Sequence, residues 1–386
     1  MLNGTNVVLS SKNDFLTLPP LALQALLKHV SIDEIPSSAD LLSGRALEEQ
    51  ISTLREPPLS VIAVGDIMLG GRAKKAMAEF GPDYPFDGVL PLLQRAPIVL
   101  GNLEGPLAQK ARKQKRNFSY QVDVSLASSL SRAGINAVTL ANNHLMDCGR
   151  SGVLETLEAL SNANVFALGA GTNERAAHAP VIRQAGGLRI GLLGYYWNSR
   201  TAATADLPGS AMDPEEALEA DIRSLREHVD RIVVTFHWGV PYEREPSSED
   251  RMKAHFAVDC GAGAVVGHHP HVVQPFEIYR RCPIFYSVGN FAFGSGNCRA
   301  EGLLVGLRFD ENKTIVNVYP LYVKNRDPRI NYQPKVLAGR AAERVLTELM
   351  RISSDSAKFM KLQNGRGDIE LAWTSGPREI TKGIHE

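Results

Sequence analysis

Three histidines within five residues form the densest group of possible metal ligands in the chain. They lie in Gly267-His268-His269-Pro270-His271, directly after the apolar run Ala264-Val265-Val266. A short apolar run of this kind predicts a buried strand, so the histidines follow its carboxyl end. Neutral imidazole is the commonest nitrogen ligand of zinc, iron and manganese. The cluster therefore predicts a metal site more strongly than it predicts packed core residues.

Further possible ligands follow other apolar runs of the sequence. They are Asp66, Asn102, Glu104, Asn143, His144 and His237. In open α/β sheets, ligand sites form outside the carboxyl ends of the strands, and each of these residues falls at or just beyond such an end. We therefore expect them to meet at one edge of a sheet.

The residue types indicate roles but leave alternatives open. Asp66 is either a hard ligand for a cation or the N-cap of a helix. Glu104 could bridge two cations about 3.5–4 Å apart, and Asn102 could give an amide oxygen, although either could be an ordinary turn residue. His269 and His271 are two residues apart in an extended segment. They could bind neighbouring cations or opposite sides of one.

His144 and Asp147 predict acid–base chemistry. A histidine close to an activated water can protonate a leaving group, and Asp147 could orient its ring. Asn143 offers an amide oxygen next to this histidine, and His237 offers an imidazole at the end of a strong strand. The alternatives are an Asx-rich turn around His144 and a hydrogen-bonded core position for His237.

The composition excludes several classes of function. The 386 residues carry 42 Lys and Arg against 42 Asp and Glu, so a net charge of zero gives no electrostatic case for nucleic acid or an anionic membrane as partner. Four cysteines without a CxxC pair make no disulfide framework. The N-terminus has no signal-peptide pattern, and no apolar run approaches the ~18 residues of a membrane span, which predicts a cytoplasmic protein.

One basic run stands out from this balanced charge. It is Lys110-Ala-Arg-Lys-Gln-Lys-Arg116, shortly before the Asn143-His144 pair. The run is either a solvated loop or a loop that steers an anionic substrate to the nearby site. In the second case we expect Lys113 and Arg116 to bind the substrate.

Strands and helices must alternate to position these residues. From Leu59 onward, near-continuous apolar strands alternate with helices that carry one apolar stripe, which predicts a largely parallel sheet covered on both faces. Residues 303–309 and 315–323 alternate more strictly and predict an antiparallel hairpin. We divide the chain into an N-terminal helical appendage (1–56), a core domain (57–335) and a C-terminal helical extension that packs on the core (336–386).

The motifs, taken in this order, resemble the CapA/PgsA family of poly-γ-glutamate capsule-synthesis proteins, which is related to the calcineurin-like metallophosphoesterases. The matching segments are Val64-Gly-Asp-Ile-Met-Leu-Gly70, Gly101-Asn-Leu-Glu-Gly-Pro-Leu107, Ala141-Asn-Asn-His144, Phe236-His-Trp-Gly239, Gly267-His-His-Pro-His271 and Tyr286-Ser-Val-Gly-Asn290. The resemblance implies an α/β fold, a metallophosphoesterase-like four-layer α/β/β/α sandwich with mixed sheets.

The resemblance also implies roles for the site residues. The implied ligands are Asp66 and His271 for one metal, Asn143, His237 and His269 for a second, and Glu104 or Asn102 in the bridging position. His144 resembles the catalytic histidine of an Asn-His pair. Met68 stands where phosphoesterases usually place a histidine. Because a thioether is a poor ligand for a hard cation, we expect the first metal to bind more weakly than the second.

Three functions fit these observations. The first is a metal-dependent hydrolase, or an acyl- or phosphoryl-transfer enzyme, that acts on an anionic and possibly glutamyl-containing small molecule or polymer. The second is a non-catalytic binding or assembly subunit, and the third forms amide bonds in a small-molecule pathway. The cofactor would be one or two divalent ions of Mn, Fe or Zn. We expect His268 and Asn290 to contact the substrate together with Lys113 and Arg116.

Overall fold

A computed structural model of the chain describes residues 35–54, 56–115, 118–294 and 301–372. The chain divides into two units, Met1–Ile35 and Pro36–Glu386, and every element below belongs to the second. Arg116 and most of the predicted N-terminal appendage lie outside the described residues.

The strands of the described residues are short or medium in length. They are β1 Leu41–Leu42, β2 Val61–Met68, β3 Ile98–Leu103, β4 Ala137–Thr139, β5 Phe166–Leu168, β6 Ala170–Gly171, β7 Val181–Ala185, β8 Leu188–Tyr195, β9 Gly209–Ser210, β10 Arg231–His237, β11 Ala264–His268, β12 Phe276–Tyr279, β13 Cys282–Phe285, β14 Asn290–Phe293, β15 Glu301–Phe309, β16 Lys313–Tyr322, β17 Lys335–Leu337, β18 Met360–Gln363 and β19 Arg366–Ala372.

Helices separate many of these strands, as the sequence predicted. They are α1 Gly44–Ser52, α2 Ala73–Phe80, α3 Tyr84–Asp87, α4 Leu90–Leu93, α5 Leu126–Arg132, α6 Gly149–Asn162, α7 Glu174–Ala177, α8 Glu215–Arg226, α9 Ser248–Cys260 and α10 Gly339–Ile352, with short 3₁₀ segments at Ser38–Asp40 and Ser354–Phe359. None of the described helices is long and apolar enough to cross a bilayer.

Within the described residues, the larger sheet has eleven strands and contains the parallel strands of the N-terminal half. Its main order is β1-β17-β16-β15-β2-β3-β4-β5, while β14 pairs with β2, and β19 pairs with β16 and β18. Strands β2 to β5 run parallel, and β14 runs parallel to β2. The predicted antiparallel hairpin is confirmed as β15 and β16, with Asp310 N–H donating to the carbonyl of Lys313 at 2.9 Å in its turn.

The smaller sheet has six strands in the part of the chain that the structure describes, in the order β12-β13-β11-β10-β8-β7. Its four central strands run parallel, and β7 and β12 pair antiparallel at the two edges. A third pair, β6 and β9, stands alone. The prediction of an α/β fold with mixed sheets is confirmed at this level.

Strand β2 explains why the central strands are apolar without interruption. Its side chains alternate between two buried clusters: Ile62 and Val64 pack in a cluster that includes helical residues such as Leu130 of α5. Val61 and Ala63 belong to a different cluster. Because successive strand residues point to opposite faces, a strand buried on both faces needs an apolar residue at every position.

Strand β10 of the smaller sheet alternates in the same way. Val233 lies in the same cluster as Val61 of the larger sheet. Ile232 and Val234 lie in a third cluster, with Ile222 of α8. The second cluster therefore draws side chains from both sheets.

The C-terminal segment contains strands that the sequence analysis did not predict. Helix α10 is followed by β18 and β19, which pair with each other, and β19 pairs with β16 from Lys313 to Val318. The prediction that residues 336–386 are a helical extension therefore missed a hairpin of the larger sheet. The division of the chain at residues 56 and 335 stays a prediction.

Candidate metal centre

Strand register brings three polar residues of the larger sheet side by side. Asp66 of β2 pairs in register with Asn102 of β3 on one side and with Asn290 of β14 on the other. Residues opposite each other in neighbouring strands point to the same face, so the three side chains share one surface. Asp66 and Asn102 are completely buried, and Asn290 is nearly so.

The smaller sheet delivers histidines by the same rule. His237 and His268 are the last residues of β10 and β11 and pair in register. Beyond β11 the backbone takes a left-handed conformation, with φ of 98° at His269 and 56° at His271. Residues with a Cβ rarely adopt positive φ, and such strain persists only where the surroundings fix it, often at functional sites.

Asn102 links two buried carboxylates. Its Nδ2 donates to Asp66 Oδ1 at 2.8 Å and to Glu104 Oε1 at 3.0 Å, while its Oδ1 accepts from Asn142 Nδ2 at 3.1 Å. From the sequence, Asn102 could offer its amide oxygen to a cation or be an ordinary turn residue. In the structure that oxygen is engaged by Asn142, because two carboxylates on the other side require the NH₂ group.

Two residues that we expected to contact the substrate are buried among the other polar groups of the site. The ring of His268 is 1% exposed, and its Nδ1 lies 3.3 Å from Asp66 Oδ1. Asn290 Oδ1 lies 3.0 Å from His271 Nδ1, and the residue is 2% exposed. Their in-register strand positions turn both side chains toward the carboxylate and imidazole groups. That they bind the substrate stays a prediction.

Glu104, His269 and His271 form the group best suited to a cation. Each offers one ligand atom, and these atoms lie within 4.8 Å of one another. His271 Nδ1 is also 3.0 Å from Asp66 Oδ2. Glu104 Oε2 and His269 Nδ1 are buried and have no hydrogen-bond partner within the described part of the chain. Because buried polar atoms are almost always paired, this donor set fits a divalent ion.

The second predicted ligand set also meets in space. His237 Nε2 lies 3.1 Å from Asn143 Oδ1, and the rings of His237 and His269 have centroids 4.5 Å apart. His237 Nδ1 lies 3.7 Å from Glu104 Oε1, so this set adjoins the first. The structure thus brings together Asn143, His237 and His269 with Glu104, although they come from four separate segments of the chain.

The pKa values of the buried groups in the site are shifted in different directions. Burial raises the pKa of Glu104 well above its usual range, and the nearby Asp66 carboxylate raises it further. Burial opposes charge on His271, but Glu104 and Asp66 outweigh it and raise the pKa of that ring to about 9. Burial and then the charge of His271 lower the pKa of His269 to about 3. Two carboxylates in one buried site repel each other unless positive charge lies between them.

His144 and Asp147 form a contact beside this cluster. His144 Nδ1 lies 2.8 Å from Asp147 Oδ2, and the same carboxylate oxygen accepts from the backbone N–H of Tyr120 at 2.7 Å. The Tyr120 ring lies against the imidazole, with centroids 4.4 Å apart. The backbone N–H of His144 donates to Asn142 Oδ1 at 3.0 Å. Asp147 and Tyr120 therefore hold the ring, Asn142 holds the backbone of His144, and the ring retains a small exposed area.

The remaining predicted residues lie around this centre. Lys113 is exposed in the loop before Tyr120. Arg116 lies outside the described residues. Met68 is buried, and its Sδ accepts from the backbone N–H of Gly70 at 3.2 Å.

Three residues that contact the site were not among those predicted from the sequence. Asn142 supports both Asn102 and His144, and Tyr120 packs on His144. Tyr196 places its ring perpendicular to that of His237, with centroids 5.3 Å apart. A signal for Tyr196 was present, because it directly follows β8, whose carboxyl end lies at the same edge as that of β10.

The chain is similar in sequence to bacterial capsule-synthesis proteins. A family model described as "Bacterial capsule synthesis protein PGA_cap" matches residues 60–295. The capsule biosynthesis protein CapA of Bacillus anthracis is 33% identical over 315 residues, which cover 78% of this chain and 75% of that protein. The PGA biosynthesis protein CapA of Bacillus subtilis (strain 168) is 33% identical over 282 residues, covering 72% and 74%.

A solved structure is similar at a lower level. It is a hypothetical protein from Thermus thermophilus, which is 16% identical, covers 71% of this chain and 95% of its own, and has a TM-score of 0.40.

Proposed function

The chain belongs to the PGA_cap family of bacterial capsule synthesis proteins, and we propose that it is a divalent-metal-dependent enzyme that hydrolyses or transfers an acyl or phosphoryl group of an anionic, glutamyl-containing substrate. One observation supports this most directly. Glu104, His269 and His271 converge in a cluster with two buried polar atoms that have no hydrogen-bond partner among the described residues. An acid–base pair of residues, His144 and Asp147, lies beside that cluster.

We further propose that the domain is a four-layer α/β/β/α sandwich. Three separate buried clusters support this arrangement. One joins the larger sheet to its helices, one draws on both sheets, and one joins the smaller sheet to α8 and α9.

In this proposal two sets of ligands share Glu104. Asp66 and His271 serve one divalent ion, and Asn143, His237 and His269 serve a second. The ions would be Mn, Fe or Zn, since mixed imidazole, amide and carboxylate ligation suits all three. A bound ion supplies Lewis-acid polarisation of the scissile bond and lowers the pKa of a coordinated water. Asn102 keeps the two carboxylates at a fixed separation.

Side chains of the protein transfer the proton and attract the substrate. His144 protonates the leaving group, because it combines a ring fixed by Asp147 with partial exposure. Asp147 accepts from Nδ1 and so leaves Nε2 as the atom that carries the transferred proton. Tyr120 covers one face of the imidazole and limits its contact with water. Lys113, exposed in the preceding loop, attracts the negative charge of the substrate.

The deciding experiment is a metal analysis of protein purified without a His-tag, combined with an assay on γ-glutamyl oligomers and simple phosphoesters. We expect one or two equivalents of Mn, Fe or Zn, and turnover that a chelator removes and the metal restores. Protein without metal, whose stability is unchanged by chelation, would point to a non-catalytic assembly subunit. Condensed rather than cleaved products would point to amide-bond formation.

A further inference from the structure

A basic loop next to His144 is closed at its base by a parallel bridge between two backbone segments. Leu107 and Val122 form an isolated bridge, with Ala108 N–H donating to the Val122 carbonyl and Val122 N–H donating to the Pro106 carbonyl, each at 3.0 Å. Between these ends the chain carries Lys110 and three further basic residues within the described part, Arg112, Lys113 and Lys115, all exposed.

One carboxylate on helix α6 binds the first half of this loop. Glu155 Oε2 accepts from the backbone N–H groups of Gln109 at 2.8 Å and Lys110 at 2.9 Å, and Oε1 accepts from that of Ala111 at 2.6 Å. The next residue, Thr156, accepts from the N–H of Leu107 at 2.9 Å. Hydrogen bonds to an ionised acceptor are stronger than neutral ones, and these N–H groups also lower the pKa of Glu155.

The second half of the loop is attached to the acid–base pair. Gln114 N–H donates to the Asp147 carbonyl at 2.7 Å, and Tyr120 N–H donates to Asp147 Oδ2 at the same distance. Glu155 and Asp147 therefore fix the two sides of one loop. Glu155 lies in the middle of α6 and caps neither end of that helix, so its three bonds serve the loop.

We propose that Glu155 is a positioning residue that holds the Gln109–Ala111 backbone so that the basic side chains beyond it stand beside His144 and orient the anionic substrate. The part of this inference that concerns the substrate rests on the proposed function, whereas the part that concerns the loop structure does not. Glu155 acts through the loop and does not touch the substrate. Removing the Glu155 carboxylate leaves the cation ligands in place but displaces the basic side chains of the loop that attract the anionic substrate.

The test compares Glu155→Gln with Glu158→Gln, an exposed glutamate in the next turn of the same helix. Trypsin cleaves after Lys110, Arg112 and Lys113, so its rate reports directly on how well the loop is held. Loss of charge-assisted bonds should speed cleavage of Glu155→Gln by about tenfold or more, whereas Glu158→Gln should match the wild type. Equal cleavage rates in all three proteins would overturn the proposal.

Kinetics separate positioning from general stabilisation. For Glu155→Gln we expect KM to rise about tenfold while kcat and metal content change little, because a misplaced loop weakens substrate binding alone. Lys113→Gln should raise KM too, and adding it to Glu155→Gln should cost less than the product of the single effects, since both act through one contact. A fully multiplicative pair, or a fall in kcat with unchanged KM, would contradict the role.

A third readout distinguishes failure of this inference from failure of the proposed function. Wild-type protein without any turnover would remove the enzymatic proposal, yet binding of a fluorescent poly-γ-glutamate oligomer could still be measured. Weaker binding by Glu155→Gln but not by Glu158→Gln would support the positioning role in that case. Unchanged binding together with unchanged cleavage would remove it.

Discussion

At the scale of single residues, an amide separates two carboxylates that would otherwise repel each other. Asn102 donates one NH₂ group to Asp66 and to Glu104, and all three side chains are buried. Burying like charges together is costly unless they are hydrogen-bonded or matched by positive charge. Asn102 and a bound cation would therefore stabilise the same pair of carboxylates by different means.

Replacing Asn102 with aspartate tests this relation. In metal-free protein, Asn102→Asp removes the donor and adds a third buried carboxylate, so we expect it to lower the free energy of unfolding by about 3–5 kcal/mol. Excess Mn²⁺ or Zn²⁺ should restore much of the loss, because an ion that binds only the folded state stabilises it. Urea unfolding with and without metal measures both effects.

The matched control is Asn136→Asp, which also loses an amide donor but lies before β4, where its Nδ2 donates to the Pro97 carbonyl at 2.8 Å. Its stability should not respond to added metal beyond the wild-type response. If Asn102→Asp is equally unstable with and without the ion, the two carboxylates do not share a cation.

His144 should matter for turnover and not for metal content. His144→Ala and His144→Gln should lower kcat by about 10²- to 10⁴-fold, the usual contribution of a general acid. Metal content should stay at the wild-type level, because the group of close ligand atoms consists of Glu104, His269 and His271. Elemental analysis beside the kinetic assay checks both points. Loss of the metal from His144→Ala would make this histidine a ligand instead.

Residue types indicated which side chains would gather, but not which way each would turn. An amide can offer its oxygen or its NH₂ group, and only the second carboxylate at Glu104 decides this for Asn102. His268 and Asn290 were expected to meet the substrate because both occur in site motifs. Their orientation depends on strand pairing with His237 and Asp66, which a single sequence does not specify.

At the scale of elements, the rule that sites form beyond the carboxyl ends of parallel strands was a sound guide. Apolar runs identified β2, β3, β10 and β11 with useful accuracy. The sequence did not predict that β14 lies beside β2, because that pairing joins segments more than 200 residues apart. The β18–β19 hairpin had a local signal that was overlooked: Asn364 and Gly365, with φ of 51° and 74°, form its turn, and Asn-Gly favours such turns.

Gly267 makes the close approach between β11 and the segment after β13 possible. A Cβ on this residue would lie 2.0 Å from the Tyr286 carbonyl oxygen and 2.6 Å from Trp238 Nε1. Trp238 Nε1 donates to that same oxygen at 2.8 Å, so a shift of either atom alone would weaken this bond. The next residues along the chain are the histidines of the metal centre.

We therefore expect Gly267→Ala to lower the free energy of unfolding by about 3 kcal/mol, which is the upper end of the usual cost of inserting an extra methyl group into a packed core. We also expect it to weaken metal binding. Gly263→Ala is the control, since the nearest atom to its Cβ would be 3.4 Å away, an ordinary contact. Thermal unfolding and metal titration of the two variants provide the measurement. A Gly267→Ala protein that binds metal as tightly as Gly263→Ala would show that this approach does not position the histidines.

At the scale of the whole molecule, a buried arginine connects segments from opposite ends of the described chain. Arg366 begins β19 and is 3% exposed. Its Nη1 donates to Glu56 Oε2 at 2.8 Å and to Tyr319 Oη at 3.2 Å, and its Nε donates to Asp368 Oδ1 at 2.6 Å. Glu56 and β19 lie on either side of the predicted core domain in sequence, and this guanidinium joins Glu56 to β19 and to Tyr319 of β16.

Removing this guanidinium should destabilise the fold without touching the metal centre. Arg366→Met keeps the length of the side chain but leaves Glu56 and Asp368 without their shared cation. We expect it to lower the free energy of unfolding by about 2–3 kcal/mol, less than for a fully buried pair, because both carboxylates are partly exposed.

Arg351→Met is the matched control. Its pair with Glu348 is on the surface, so its loss should lower the free energy of unfolding by under about 1 kcal/mol. Urea unfolding distinguishes the two, and metal content should be normal in both. If both substitutions lower the free energy of unfolding by the same small amount, strand pairing with β16 alone holds the C-terminal hairpin in place. Arg366 would then contribute nothing to its attachment.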